Sequence, residues 1–133
     1  MIQGKGAALK QLIIILFSLL ITTHVSGEPD GYSYVTETPD GAEFYIHFKS
    51  IEIEDPKKRY WVIVNDVKKQ SSMRIYQEMN CKKKTLLNLS TEWFKGLDIS
   101  GGSIGSAPST GEFGYIAPGT VGDNFYYFLC SGS

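Results

Sequence analysis

Polar and apolar positions alternate through most of the chain, the period of strands whose two faces meet different surroundings. Ala42, Phe44, Ile46 and Phe48 interleave with Glu43, Tyr45, His47 and Lys49. Pro39-Asp40-Gly41 is a turn sequence, so residues 32–38 and 42–48 read as a hairpin. Residues 51–54 are a short strand ending at Asp55-Pro56. Residues 59–67 (RYWVIVNDV) are nearly continuously apolar and β-branched, which suits a central strand covered on both faces. In the next strand Met73, Ile75, Met79 and Cys81 share one face and Arg74, Tyr76, Glu78 and Asn80 the other. Residues 85–94 predict a further strand with Leu87, Leu89 and Trp93 on a common face. Residues 100–111 (SGGSIGSAPSTG) predict a flexible Gly/Ser loop.

The period changes after Pro118-Gly119. Thr120 followed three residues later by Asp123 resembles a capping box with Asp in place of Glu. Val121, Phe125, Phe128 and Leu129 then fall on one face of a helix that ends at Cys130. A competing assignment makes residues 124–130 (NFYYFLC) a last strand; cap and spacing favour the helix. The expected fold is therefore α+β: an antiparallel meander packed with a C-terminal helix, in two layers.

Residues 1–27 are set apart from this fold. Lys5 and Lys10 precede a ten-residue apolar run at 12–21, too short to span a bilayer. Val25 and Gly27 suit the −3 and −1 positions of a signal peptidase site. The reading is a signal peptide over 1–27 and one domain over 28–133, exported to the periplasm, the cell surface or the medium. No cysteine lies directly after the apolar run, so lipidation at a lipobox is not expected. Loss of the leader leaves a net charge of −3, which argues against general nucleic-acid binding.

Export places Cys81 and Cys130 in an oxidising compartment, where a structural disulfide is expected. A redox or nucleophilic thiol would need a Cys-x-x-Cys or a neighbouring histidine, and neither is visible in the sequence. Two cysteines and one histidine in 28–133 fall short of a zinc set, so no metal is expected. The glycines of 100–111 lack the Gly-Lys-Ser/Thr ending of a phosphate loop, and no cofactor is expected.

The order of particular residues resembles one family. An aromatic opening strand is followed by Phe44-Tyr45-Ile46-His47 before Ser50-Ile51, then Tyr60-Trp61-Val62, Tyr76 and Cys81. Tyr115-Ile116, Pro118-Gly119-Thr120 and a terminal cysteine a helix-length later complete it. The pattern is similar to the surface-adhesin protein E-like family of exported bacterial proteins, from about residue 32 to 130. The resemblance implies an antiparallel sheet packed with helix, a Cys81–Cys130 disulfide, and room for a homodimer. The best-known member is a surface lipoprotein that binds host matrix proteins and plasminogen. None of the matching segments is a catalytic signature.

Candidate sites follow from the pattern. His47 lies on the polar face of its strand and could serve as a general base, but no partner nucleophile is identifiable. Glu52 and Glu54 share a strand face and read as charges defending an edge. Asn88-Leu89-Ser90 matches a glycosylation acceptor but falls within a strand. Lys57, Lys58 and Arg59 open the central strand and Lys82, Lys83 and Lys84 follow the next one. If these strands are adjacent and antiparallel, all six charges gather at one end, a site for an anionic partner, with Lys68 and Lys69 at the other end. The expected function is a non-enzymatic exported binding domain contacting a host-matrix or envelope protein. The alternative is a periplasmic inhibitor or accessory factor of a cell-envelope enzyme, using the 100–111 loop.

Overall fold

A computed structural model describes residues 29–109 and 111–131; the leader assigned to 1–27 lies outside them. The strands are β1 (Tyr32–Glu37), β2 (Ala42–His47), β3 (Glu52–Glu54), β4 (Lys57–Asp66), β5 (Ser71–Asn80), β6 (Thr85–Lys95), β7 (Ser103–Pro108) and β8 (Gly114–Tyr115). A single 3-10 turn, Phe48–Ser50, and one α-helix, α1 (Val121–Cys130), complete the described elements. All strand pairings are antiparallel, in the order β1-β2-β4-β5-β6-β7, with β3 also on β4 and β8 also on β6. The helix packs on one face of this sheet, as expected for an α+β two-layer fold.

The hairpin turn forms where Pro39-Asp40-Gly41 predicted it. The Gly41 N–H donates to the Thr38 carbonyl at 3.0 Å, and Gly41 takes a φ of 96° that favours glycine. The Thr38 hydroxyl donates to the Asp40 carboxylate and holds its pKa below the usual value. Across β4 the burial runs unbroken through Val62, Ile63, Val64 and Asn65, so this strand is covered on both faces as its composition requires.

Even-numbered positions of β4 face the helix. Val62 and Val64 join Ile46, Ile75 and Met79 in the core, and Tyr60 stacks on Phe125 with ring centroids 6.1 Å apart. Phe44 meets the same phenylalanine edge-on at 6.3 Å. Phe125, Leu129 and Cys130 are buried, and Val121 and Tyr126 pack partly against them. Thr120 caps the helix, accepting from the Asp123 N–H at 3.3 Å, while Asp123 Oδ2 accepts from Gly119 N–H at 3.0 Å. This reciprocal cap excludes the strand alternative for 124–130. Phe128 departs from its expected place and is 46% exposed. The disulfide between Cys81 and Cys130 explains the difference. It draws Cys130 to the sheet and turns the buried stripe toward Tyr126, leaving Phe128 on the flank.

Two further expectations fail for identifiable reasons. Residues 103–108 form an edge strand instead of a free loop, held by backbone pairing with β6, with Trp93 opposite Gly105. Gly101 makes the approach feasible, because a Cβ there would lie 2.0 Å from the Lys95 carbonyl oxygen. In β6, Tyr76 pairs with Ser90 but Gln77 with Asn88, so Leu89 is the extra residue of a β-bulge. The bulge inverts the alternation. Leu87, opposite Glu78, faces away from the helix, and Trp93, opposite Met73, faces the helix side.

Tyr60 is fully buried and its hydroxyl has no hydrogen-bond partner among the described residues. Its cross-strand partner Gln77 directs its amide nitrogen to Asn88 Oδ1, 2.9 Å away. Burial pushes the Tyr60 phenol far above its ordinary value of 10.0. Above about pH 10 the unfolded chain has lost this proton and the native chain keeps it, so stability falls with rising pH by ~1.4 kcal/mol per unit. Tyr60→Phe is expected to remove that alkaline limb and to leave neutral-pH stability unchanged or raised, since no hydrogen bond is lost. Denaturant titrations of both proteins on either side of pH ~10 measure it.

Candidate functional site

The face opposite the helix is built from odd-numbered positions of β2 and β4 and their cross-strand neighbours. Here the sheet places aromatic rings beside a guanidinium. Trp61 stacks on Tyr76 with centroids 4.8 Å apart, and the Arg74 guanidinium lies over the Trp61 ring at 4.8 Å and over Phe94 at 5.8 Å. Register brings them together: Trp61 pairs with Tyr76, Ile63 with Arg74, and Arg74 with Glu92. Arg74 Nη2 reaches Glu92 Oε1 at 2.7 Å, and Arg74 and Glu92 are both about one-third exposed. An open cleft of about 450 Å³ runs from this group to the edge strand, lined by Trp61, Arg74, Glu92, Ser106 and Pro108 among others.

The row continues across β2 and β1. Tyr32 stacks on His47 at 4.7 Å, and Tyr34 meets Tyr45 edge-on at 5.8 Å. Burial raises the Tyr32 pKa while the nearby positive charge of Arg74 lowers it. Burial and the carboxylates of Glu37 and Glu43 raise that of Tyr34. Both phenols therefore remain protonated donors at neutral pH. At one end of the face, Asn65 Nδ2 donates to Asp98 Oδ1 at 2.6 Å and the Asp98 N–H returns to Asn65 Oδ1 at 2.9 Å, fixing the loop after β6.

The basic residues lie at the other end, as the antiparallel pairing of β4 and β5 requires, with Lys57 opposite Asn80. They do not form one cluster of six. Lys58 is 8% exposed and points to the helix side, where its amino group donates to the Leu129 carbonyl. Alternation explains its absence from the cluster, since it faces opposite to Lys57 and Arg59. Arg59 is engaged by Glu78 at 2.9 Å and Glu54 at 4.0 Å; the Glu78 hydrogen bond is the main cause of its raised pKa. Lys84 pairs with Asp123 at 3.3 Å and lies over the Tyr126 ring at 4.8 Å. Lys57, Lys82 and Lys83 remain at this end, the last two exposed.

His47 is engaged in stacking with Tyr32. Glu52 and Glu54 are exposed on β3, Glu52 opposite Arg59, as edge charges would be. Asn88 accepts from Gln77 within β6. The sequence reading passed over Arg74, Glu92, Phe94, Asn80, Thr85 and Phe113. Arg74 was legible in principle, because the short turn between β4 and β5 fixes which β5 residues face Trp61. Glu92 and Phe94 lie on β6 beyond the bulge at Leu89, which changes the facing of the side chains past it. The contribution of Phe113 comes from a segment without periodicity and had no signal.

Comparison with known proteins follows this geometry. Residues 32–131 match the family described as Surface-adhesin protein E. No curated protein is matched by the sequence. Among solved structures, crystal form II of Haemophilus influenzae protein E superposes with a TM-score of 0.65 at 18% identity, covering 80% of this chain and 92% of that one. A second H. influenzae protein E structure gives 0.59 at 18% identity, with 80% and 89% covered. Protein E from non-typeable H. influenzae gives 0.57 at 19% identity, with 80% and 79% covered.

Proposed function

The chain belongs to the surface-adhesin protein E family, and on that premise we propose an exported, non-enzymatic binding domain that contacts a host-matrix or envelope protein through the sheet face opposite the helix. The observation that carries this reading is the Trp61–Arg74–Phe94 group, a guanidinium set among aromatic rings on a face that the helix does not cover. Aromatic and arginine side chains dominate binding energies at protein interfaces, and a ladder already stacked loses little side-chain freedom on docking. Among the described residues, no helix is long and apolar enough to cross a membrane. Export rests on the leader at 1–27, and cell fractionation of the full chain separates periplasm from surface and medium.

The proposal is tested by binding of the oxidised protein to immobilised matrix proteins and to envelope extracts. Arg74→Ala is expected to weaken the interaction by about tenfold or more, while Tyr127→Ala on the exposed flank of the helix leaves it unchanged. Equal binding by both variants, with circular dichroism showing both folded, removes this face as the site. The homodimer that the resemblance leaves room for is part of the proposal and is measured by sedimentation. The inhibitor alternative relies on a free loop at 100–111, half of which is bound as β7.

A further inference from the structure

At the basic end of the same face, three adjacent strands contribute one row of side chains. Lys57 of β4 lies opposite Asn80 of β5, and Asn80 lies opposite Thr85 of β6. Lys83 from the β5–β6 turn and Phe113 from the segment before β8 join them around a pocket of about 380 Å³. That volume is within the range of small-ligand sites.

The chemistry of the lining is one-sided. Asn80 is 8% exposed, and its Oδ1 is already occupied, accepting the backbone N–H of Lys82 at 3.1 Å and of Lys83 at 2.9 Å. Its Nδ2 hydrogens are therefore the end left to face the pocket. Thr85 adds a hydroxyl, also on a buried residue. With the two lysines, the polar lining consists of groups that can donate hydrogen bonds, and among the described residues no carboxylate belongs to it. Two neighbouring acids are directed to Arg59: Glu54, across from Lys57 in the β3–β4 register, at 4.0 Å, and Glu78 at 2.9 Å. The remaining wall is the ring of Phe113, which is more than half exposed.

We propose that this pocket binds an anionic sugar unit, with one sulfate, phosphate or carboxylate group held by Lys57, Lys83, Asn80 and Thr85 and the sugar ring against Phe113. Donors lining one pocket favour an oxyanion, because charge-assisted hydrogen bonds from amino groups and a buried amide replace its water. The apolar wall favours a ring over a free ion. The site is distinct from the Trp61–Arg74 surface, so either assignment can fail without the other.

The test is a titration of the oxidised protein followed by NMR, using a sulfated uronate disaccharide, glucose 6-phosphate, inorganic sulfate and a neutral disaccharide. Saturable shifts at Asn80, Lys83, Thr85 and Phe113 are expected with the two anionic sugars. The tighter of the two distinguishes a host-type sulfated polysaccharide from a phosphorylated envelope sugar. The double variant Lys57→Ala, Lys83→Ala is expected to lose about tenfold in affinity. Lys68→Ala, Lys69→Ala at the opposite end should bind as the unaltered protein does. Phe113→Ala should weaken the sugars and leave inorganic sulfate unaffected. Absence of saturation, equal affinity for the neutral disaccharide or for inorganic sulfate, or equal losses in the two lysine variants would each overturn the assignment.

Discussion

Replacement of both Cys81 and Cys130 by alanine is expected to lower the melting temperature by on the order of 20 °C. The bridge spans a sequence separation of 49 residues. Closing a loop of that length removes about 4 kcal/mol of unfolded-chain entropy on the usual model. For a domain of about 100 residues each kcal/mol moves the midpoint by ~4–8 °C. The effect is amplified by what the bridge holds. α1 has ten residues, too short to persist alone in water, so its helicity depends on Phe125 and Leu129 staying against the sheet. Thermal melts with and without dithiothreitol measure this directly. The reductant should lower the midpoint of the unaltered protein toward that of the double variant and leave the variant unmoved. An unchanged midpoint in the double variant would show that packing alone fixes the helix.

The same features mark what alternation could and could not reveal. The hairpin, the doubly covered β4, the Met73–Ile75–Met79 face and the capped helix each follow from residues within a few positions of one another, and all are present. The expectations that failed depend on partners distant in sequence. The bulge at Leu89 adds one residue without any glycine to announce it, and every side chain beyond it changes face. β7 is mostly Ser, Gly and Ala and its one large aliphatic residue, Ile104, is exposed, so its strand character comes from backbone pairing with β6 instead of from an apolar face. Phe128 suited a helix read in isolation, and the bridge at Cys130 shifted the stripe.

The candidate sites divide in the same way. That Lys57 and Lys82–Lys84 share one end follows from two adjacent strands, and the pairing confirms the placement. Their separate engagements do not follow from local sequence. Arg59 is neutralised by Glu78 and Glu54, and Lys84 by Asp123, through contacts set by register and by the docking of α1. Of the six charges that would repel as one cluster, Arg59 and Lys84 are ion-paired and Lys58 is turned to the helix, which leaves the donor-lined pocket with the two lysines it uses and Lys82 beside it.

Lys58→Met is expected to destabilise the protein by ~2 kcal/mol, and Lys58→Ala by ~3 kcal/mol, although the sequence groups the residue with the basic cluster. The lysine stem is buried beside Met79, its partner across the β4–β5 ladder, and its amino group donates to the Leu129 carbonyl in the last turn of α1. A cation there meets the negative end of the helix dipole and satisfies a carbonyl that has no partner within the helix. Methionine keeps the stem and loses the charge and hydrogen bond; alanine loses the packing as well. Because Met79 also touches the Cys130 sulfur at 3.5 Å, the two tethers act on one helix end and should not add independently. With the disulfide absent, that end can fray at little further loss, so Lys58→Met is expected to cost less in the Cys81→Ala, Cys130→Ala background than in the oxidised protein. A double-mutant cycle from urea unfolding measures the coupling. Strict additivity would mean that the lysine holds the sheet and not the helix.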